Sequence, residues 1–434
     1  MKRFVLGWFH VIPLLFVVST SSVLADEQLT LIYSGNLDGE LEPCGCSAEG
    51  NLGGIKRRAT MLSQLRRENP DMVVVSAGGL LSSDDPGDRL KGEYILKGYA
   101  SLKYDAVGVQ WRDLVYGAEF LLNQPLPWAV SNWSDNNEVP DRRVINRNGN
   151  RIAFFNWLDP KNSPMRQMRG KHRLVNDTPV SLQTALKEAK QKGELTVLAT
   201  TLKASQAVKD IGLDFVDILM QKAAYEEYGA PYMEGKTLVV QPGSRGMRLG
   251  RLDMDIQGAQ IKKWSHKVIP MPESVVDAPE LAAWYEEYNA KVKEAYLKRV
   301  ELRKNNTSGK SPYAGEQVCS TCHVAQHKRW SDSQHAIAYE NLEGVGKSFD
   351  PACIGCHTVG FDKPGGFFDI NVTGHLLGVQ CESCHGAGRA HVEAAGKKSL
   401  PNANWSRQEI CGQCHVQKHS PGFDIKTYWP KIAH

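Results

Sequence analysis

Eight of the ten cysteines in this chain lie after residue 318, and so do ten of its thirteen histidines. The cysteines come in pairs with a histidine directly behind each pair. The first two runs are Cys319-Ser320-Thr321-Cys322-His323 and Cys353-Ile354-Gly355-Cys356-His357. Cys381-Glu382-Ser383-Cys384-His385 and Cys411-Gly412-Gln413-Cys414-His415 follow. Each is C-x-x-C-H, the attachment pattern for c-type haem. The spacing has a chemical reason. One helical turn offers both thiols to the two vinyl groups of one porphyrin, and the next residue points an imidazole at the iron. Four covalently bound haem c groups are therefore expected, with His323, His357, His385 and His415 as proximal ligands.

Other uses of paired cysteines fit less well. Disulfides do not require a histidine behind every pair. Structural zinc takes C-x-x-C units but does not need the adjacent histidine. Thioredoxin-like sites come singly on a βαβ unit, which this segment lacks. The segment also has few long apolar runs, so porphyrin faces would supply the buried surface that a small domain otherwise lacks. A mainly α, haem-packed region over residues 313–434 is expected. The second axial ligands must come from His327, His335, His375, His391, His419 and His434. No methionine follows Tyr313, which disfavours His/Met ligation and points to low-potential, bis-histidine haems.

Residues 316 to about 425 resemble the tetrahaem cytochrome c-554 family. The resemblance is carried by residues 319–330 with Ser333-Gln334-His335-Ala336, by Cys356-His357 running into Gly360-Phe361 and Gly365-Gly366, and by residues 378–386. It implies that His335 and His391 are distal ligands, with His434 the best match for the last one and His419 second. In that family the second haem lacks a strong distal ligand. Here His375, just before the third motif, stands where the family does not rely on one, and so could close that site.

The elements that position this cluster begin far upstream. Lys2 and Arg3, an apolar stretch over residues 4–18, and Val23-Leu24-Ala25 read as an export signal cut after Ala25. Residues 26–272 read as an α/β domain. Strands are expected at residues 29–33, 71–77, 151–158, 194–200 and 236–240, with a closing hairpin at 251–256 and 260–268. Apolar spacing over residues 57–67 makes a helix between the first two strands, which favours parallel pairing. Residues 273–312 form a linker containing one long helix, whose stripe is Leu281, Trp284, Tyr285, Tyr288, Val292, Ala295 and Tyr296. The formal charge of +4 is spread over 434 residues without a basic cluster, which excludes nucleic acid as a partner. Redox partner proteins are expected instead, a membrane-bound or periplasmic oxidoreductase among them.

The α/β domain is similar to the metallophosphoesterase half of exported 5′-nucleotidases. The similar stretches are residues 33–39, Gly53-Gly54 with Arg57-Arg58-Ala59-Thr60, Ala77-Gly78-Gly79, residues 104–117 and residues 239–252. That family implies two metals held by carboxylates and imidazoles. Here Asn36 and Asp38 stand where Asp and His belong, Gly79 replaces the bridging Asp, and Trp111 and Arg112 replace Asn-His. Only His172 and His266 occur between residues 26 and 312, so a degenerate, inactive sandwich is expected. Cys44-Gly45-Cys46 suits a local disulfide, or a thiol pair facing a metal or partner. The whole chain then reads as an exported electron carrier with a docking domain. The alternatives are a haem enzyme acting on a small nitrogen compound at a five-coordinate haem, and a phosphoester hydrolase fused to a cytochrome.

Overall fold

The computed structural model describes residues 27–44, 51–84, 87–134, 139–164, 175–222, 229–304, 310–416 and 419–434. The export signal, His172 and Cys46 lie outside the described residues. The N-terminal region is a sandwich of two sheets with helices on both outer faces. The first sheet runs, in spatial order, Gln260–Pro270, Arg248–Gln257, Glu27–Ser34, Val73–Ser76 and Ala106–Val107. Glu27–Ser34 pairs parallel with Val73–Ser76, because the helix Ile55–Glu68 crosses between them. The hairpin Arg248–Gln257 and Gln260–Pro270 closes the sheet antiparallel. The second sheet runs Tyr232–Glu234, Thr237–Val240, Ile218–Gln221, Leu195–Thr200, Asn150–Trp157 and Arg142–Arg147.

Period-two alternation divides each strand between two layers. Leu29, Leu31, Tyr33, Val73 and Val75 point into the space between the sheets, where they meet Ile152, Phe154, Val197 and Ile218. Ile32 and Val74 point outward to Ile55, Leu62, Tyr94 and Tyr99 on the covering helices. Phe155 and Trp157 pack on the opposite outer face against Leu182 and Leu186. The strands therefore end together, and the loops after Ser34, Ser76, Val107, Trp157 and Val240 gather at one edge of the sandwich, the usual place for a site in an open α/β sheet.

The long helix Ala282–Lys304 joins both halves of the molecule. Leu281, Trp284, Tyr285, Tyr288 and Val292 pack on the sandwich core. Trp284 Nε1 donates to Tyr94 O at 3.1 Å, and its ring lies so close to Gly98 that a Cβ there would meet it at 2.7 Å. Four residues beyond Val292, Tyr296 and then Val300 turn to the other half and join Tyr313, Tyr339, Ile354 and Phe367. Tyr296 OH donates to Phe368 O at 2.9 Å. Ala295 is exposed, and Val300 holds the buried place instead, because the contact face advances in steps of four residues.

Residues 310–434 are short helices and turns without a sheet among the described residues. Among the described residues no helix is long and apolar enough to cross a membrane. Tyr288 is 3% exposed at the junction, with Tyr94 5.5 Å away between ring centroids. Tyr288→Ala should remove this contact at a cost of about 3 kcal/mol. Chemical denaturation followed by tryptophan emission would show it as an earlier transition of the sandwich.

Candidate functional site

The four C-x-x-C-H runs sit at the ends of short helices. Glu316–Ser320 carries Cys319, Pro351–His357 carries the whole second motif, Cys381–His385 the third, and Arg407–Cys411 leads into the fourth. None of the eight motif cysteines is paired in a disulfide. Motifs distant in the chain are neighbours in space. The Cys319 thiol lies beside that of Cys381, the Cys414 thiol beside that of Cys356, and Cys384 near Cys411. The first motif thus adjoins the third, the third the fourth, and the fourth the second.

The histidines form pairs. His323 faces His391 with ring centroids 6.3 Å apart, His335 faces His415 at 6.2 Å, and His385 faces His434 at 5.9 Å. Each pair joins one motif histidine to one of the additional histidines. Two imidazoles on opposite sides of one iron need about this separation: two metal–nitrogen bonds of about 2 Å, plus roughly 1.2 Å from each nitrogen to its ring centre. The second ring nitrogen is also engaged. The Nδ1 atoms of His357, His391 and His434 donate to the carbonyls of Ala338 at 2.6 Å, Lys398 at 2.6 Å and Ile432 at 2.9 Å. His415 Nδ1 pairs with Ser420 Oγ at 3.1 Å. Such bonds leave Nε2 free for a metal and fix the ring orientation. Burial, together with the charge of the facing histidine, holds His335 and His385 below the ordinary histidine pKa, and burial alone does so for His415. A neutral imidazole is the form that binds a metal. The residues present therefore fit haem c.

His357 enters no such pair among the described residues. His375 is exposed on the 3-10 turn Gly374–Leu376, with its ring against Gly315 at the start of the first motif's helix. His327 pairs with Glu316 and packs on Trp330. Two polar residues that motif spacing gives no reason to single out hold the cluster together. Buried Glu382 accepts from Ala314 N at 2.9 Å, Gly315 N at 2.9 Å and Gly388 N at 2.6 Å, tying the third motif to the first. Gln380 accepts from Glu316 N at 2.9 Å and donates to His375 O at 2.9 Å.

At the edge of the sandwich the residues at the positions that the resemblance assigns to metal ligands are engaged with one another. Asn36 Nδ2 donates to the carbonyls of Pro242 and Gly243, both at 3.1 Å, and its Oδ1 accepts from Gln110 Nε2 at 2.8 Å. Asp38 pairs with Arg112 and accepts from Arg245 N at 3.0 Å. Burial pushes the Asp38 carboxyl above its usual pKa, while Arg112 and the Arg245 amide act to hold it down. Gly79 has φ +75°, and a Cβ there would meet the Gln110 side chain at 2.9 Å. Trp111 Nε1 donates to Asp159 O at 2.8 Å. Asp113 is fully buried and accepts from the amides of Gly79, Leu80, Leu81 and Gln110 at 2.6–3.1 Å. Its signal in the sequence is the capping spacing from Gln110. His266 lies apart on the outer hairpin, bonded to Tyr33 OH at 2.8 Å. Among the described residues no group of three or more histidine, cysteine or carboxylate side chains is placed to hold a metal. Cys44 pairs through its backbone with Leu52.

Residues 318–386 match the protein family described as cytochrome c554 and c-prime. The C-terminal region is thus similar to c-type cytochromes of that family. The match spans the first three motifs and stops before the fourth. The chain is also 35% identical over 147 residues to cytochrome c-554 of Nitrosomonas europaea, an alignment covering 25% of this chain and 62% of that protein. It thus spans about three fifths of that relative's length. The sandwich resembles a 5′-nucleotidase precursor of Thermus thermophilus, with a TM-score of 0.53 and 16% identity over 62% of this chain and 60% of that one. A sulfate thiohydrolase of the same organism gives a TM-score of 0.50 and 16% identity over 61% of this chain and 60% of that one. At such identity the likeness is one of fold: a metallophosphoesterase-like α/β sandwich is fused to the cytochrome.

Asp113 organises the loops at the sandwich edge through backbone donors alone. Asp113→Ala would orphan four buried amides and should cost at least about 3 kcal/mol. Thermal unfolding of the sandwich, read by far-ultraviolet circular dichroism, would register the loss.

Proposed function

We propose that this protein is an exported tetrahaem electron carrier, with four haem c groups attached at Cys319/Cys322, Cys353/Cys356, Cys381/Cys384 and Cys411/Cys414. The reading is carried by the three facing imidazole pairs at 5.9–6.3 Å. Haem c supplies one-electron redox chemistry when bound. The chain supplies the rest. The cysteines anchor each macrocycle, the proximal ligands are His323, His357, His385 and His415, and the distal ligands are His391, His335 and His434 on the haems of His323, His415 and His385. Contact between neighbouring motifs favours the short separations that electron exchange needs.

His357 has no facing imidazole among the described residues, which supports an open axial position at the second motif and a second reading, a haem site that takes a small nitrogen ligand. In this reading His375 does not ligate that haem. The sandwich serves to dock a redox partner and does not hydrolyse phosphoesters, because Asn36, Asp38, Gln110 and Arg112 use their polar groups on one another.

Intact mass after production in a host that matures c-type cytochromes should show four haem additions. His391→Ala should convert one low-spin haem to high-spin, visible by electron paramagnetic resonance, whereas His375→Ala should leave the spin balance unchanged and carbon monoxide should bind about one haem in four. A new high-spin signal in the His375 variant would instead close the second site and leave electron transfer alone. With manganese and a nucleoside monophosphate the full chain should show no chelator-sensitive phosphate release. Clear turnover abolished by chelator would establish the hydrolase reading.

A further inference from the structure

The sandwich and the cytochrome meet around one buried lysine. Lys347 is 9% exposed and precedes the helix Pro351–His357 that carries the second motif. Its Nζ lies 2.9 Å from Glu42 Oε2, which belongs to the sandwich, and 2.9 Å from Asn289 Oδ1 on the long helix. The ammonium stands 5.2 Å from the ring centre of Tyr285 and 5.7 Å from that of Tyr288. Tyr285 OH donates to the other Glu42 oxygen. Burial works to lower the Lys347 pKa, but Glu42, Tyr285 and Asp350 hold it above the ordinary lysine value, so the side chain stays charged.

This ion pair is tied directly to the second motif. Asp350 lies 3.8 Å from Lys347 Nζ and starts the motif helix, accepting from Ala352 N at 3.0 Å through its side chain and from Cys353 N at 3.0 Å through its carbonyl. Tyr288 borders both Asp350 and Cys353. Opposite charges from two halves of the molecule thus face each other, Lys347 buried and Glu42 part-exposed, close in sequence to the haem-attachment residue Cys353.

We propose that the sandwich sets the reduction potential of the haem attached at Cys353 and Cys356 through the Glu42–Lys347 ion pair. The proposal rests on the reading that this motif carries haem. Reduction adds one electron at the iron, so a nearby cation favours the reduced state and a nearby anion opposes it. In a poorly screened environment such charges act over longer distances than in water. Burial and local charge are among the means by which a protein tunes its haems. The paired charges oppose each other, and removing one exposes the influence of the other. Lys347 and Glu42 are positioning residues here, acting by charge at a distance and not by ligation.

The test is a redox titration of the full haem-loaded chain, followed by visible spectra and by electron paramagnetic resonance to separate the haems. Glu42→Gln keeps the shape and removes the negative charge, so one haem should shift to higher potential. Lys347→Met should shift the same haem to lower potential. The double variant should return close to wild type, Lys347→Arg should stay there, and the other three haems should hold their values. Shifts of the same sign in both single variants, or no shift with all four haems attached, overturn the proposal and leave the pair a purely structural clasp. A wild-type mass showing Cys353 and Cys356 unmodified would sink the haem reading, and this proposal with it. Lys347→Gln, closer to lysine in polarity, repeats the lower-potential arm if the methionine variant does not fold.

Discussion

Facing imidazoles drawn from distant segments are the constraint on which the C-terminal region depends. Its helices are mostly four to eight residues long, too short to persist alone in water. Its apolar core is a single cluster around Ile354, Val359, Phe367 and Leu376. What closes the fold are contacts between residues far apart in sequence: His323 with His391, His335 with His415, His385 with His434. Each crosses from one motif to a segment serving another, so the pairs draw together parts of the chain that are distant in sequence. Glu382 adds to this by gathering amides from three residues around the third motif. Local order in this region rests on such long-range pairs, with side-chain burial in a supporting role.

The sandwich obeys a different logic. It has full hydrophobic layers on both sides of both sheets and would hold its shape without a cofactor. Its functional edge has been rebuilt in hydrogen bonds. Asn36 bridges three loops, Asp113 collects four amides, and the Asp38–Arg112 pair joins two of those loops. A new side chain at such an edge would need space and partners that are already committed. At Gly79 the obstacle is steric as well as conformational. Architecture and chemistry have separated here, as they do across widely used folds.

Much of this was legible in the sequence, for identifiable reasons. Short apolar runs located the strands at Val73–Ser76, Asn150–Trp157 and Leu195–Thr200, because strands buried on both faces are apolar along their length. The helix between the first two strands forced a parallel pair. Arg142–Arg147 escaped notice because it is an edge strand whose charged side chains hide the alternation. Asp88–Ser101 did so because Gly92 and Gly98, needed for close approach, weaken its helical signal. The attachment motifs were plain because their chemistry is local. Which distal histidine faces which motif histidine was not, because that depends on contacts between distant segments. The Glu42–Lys347 contact was invisible for the same reason: its partners are joined only through the fold.

The long helix gives the molecule a property that neither half has alone. A tethered redox module must find its neighbour by diffusion, at an effective concentration set by the length of the tether. Here Trp284 and Tyr288 are sunk in one half, Tyr296 and Val300 in the other, and all four ride on one continuous rod. From Trp284 to Val300 runs a little over four turns of helix, a stiff strut on the order of 24 Å. The two halves are thereby held at one fixed separation instead of sampling many.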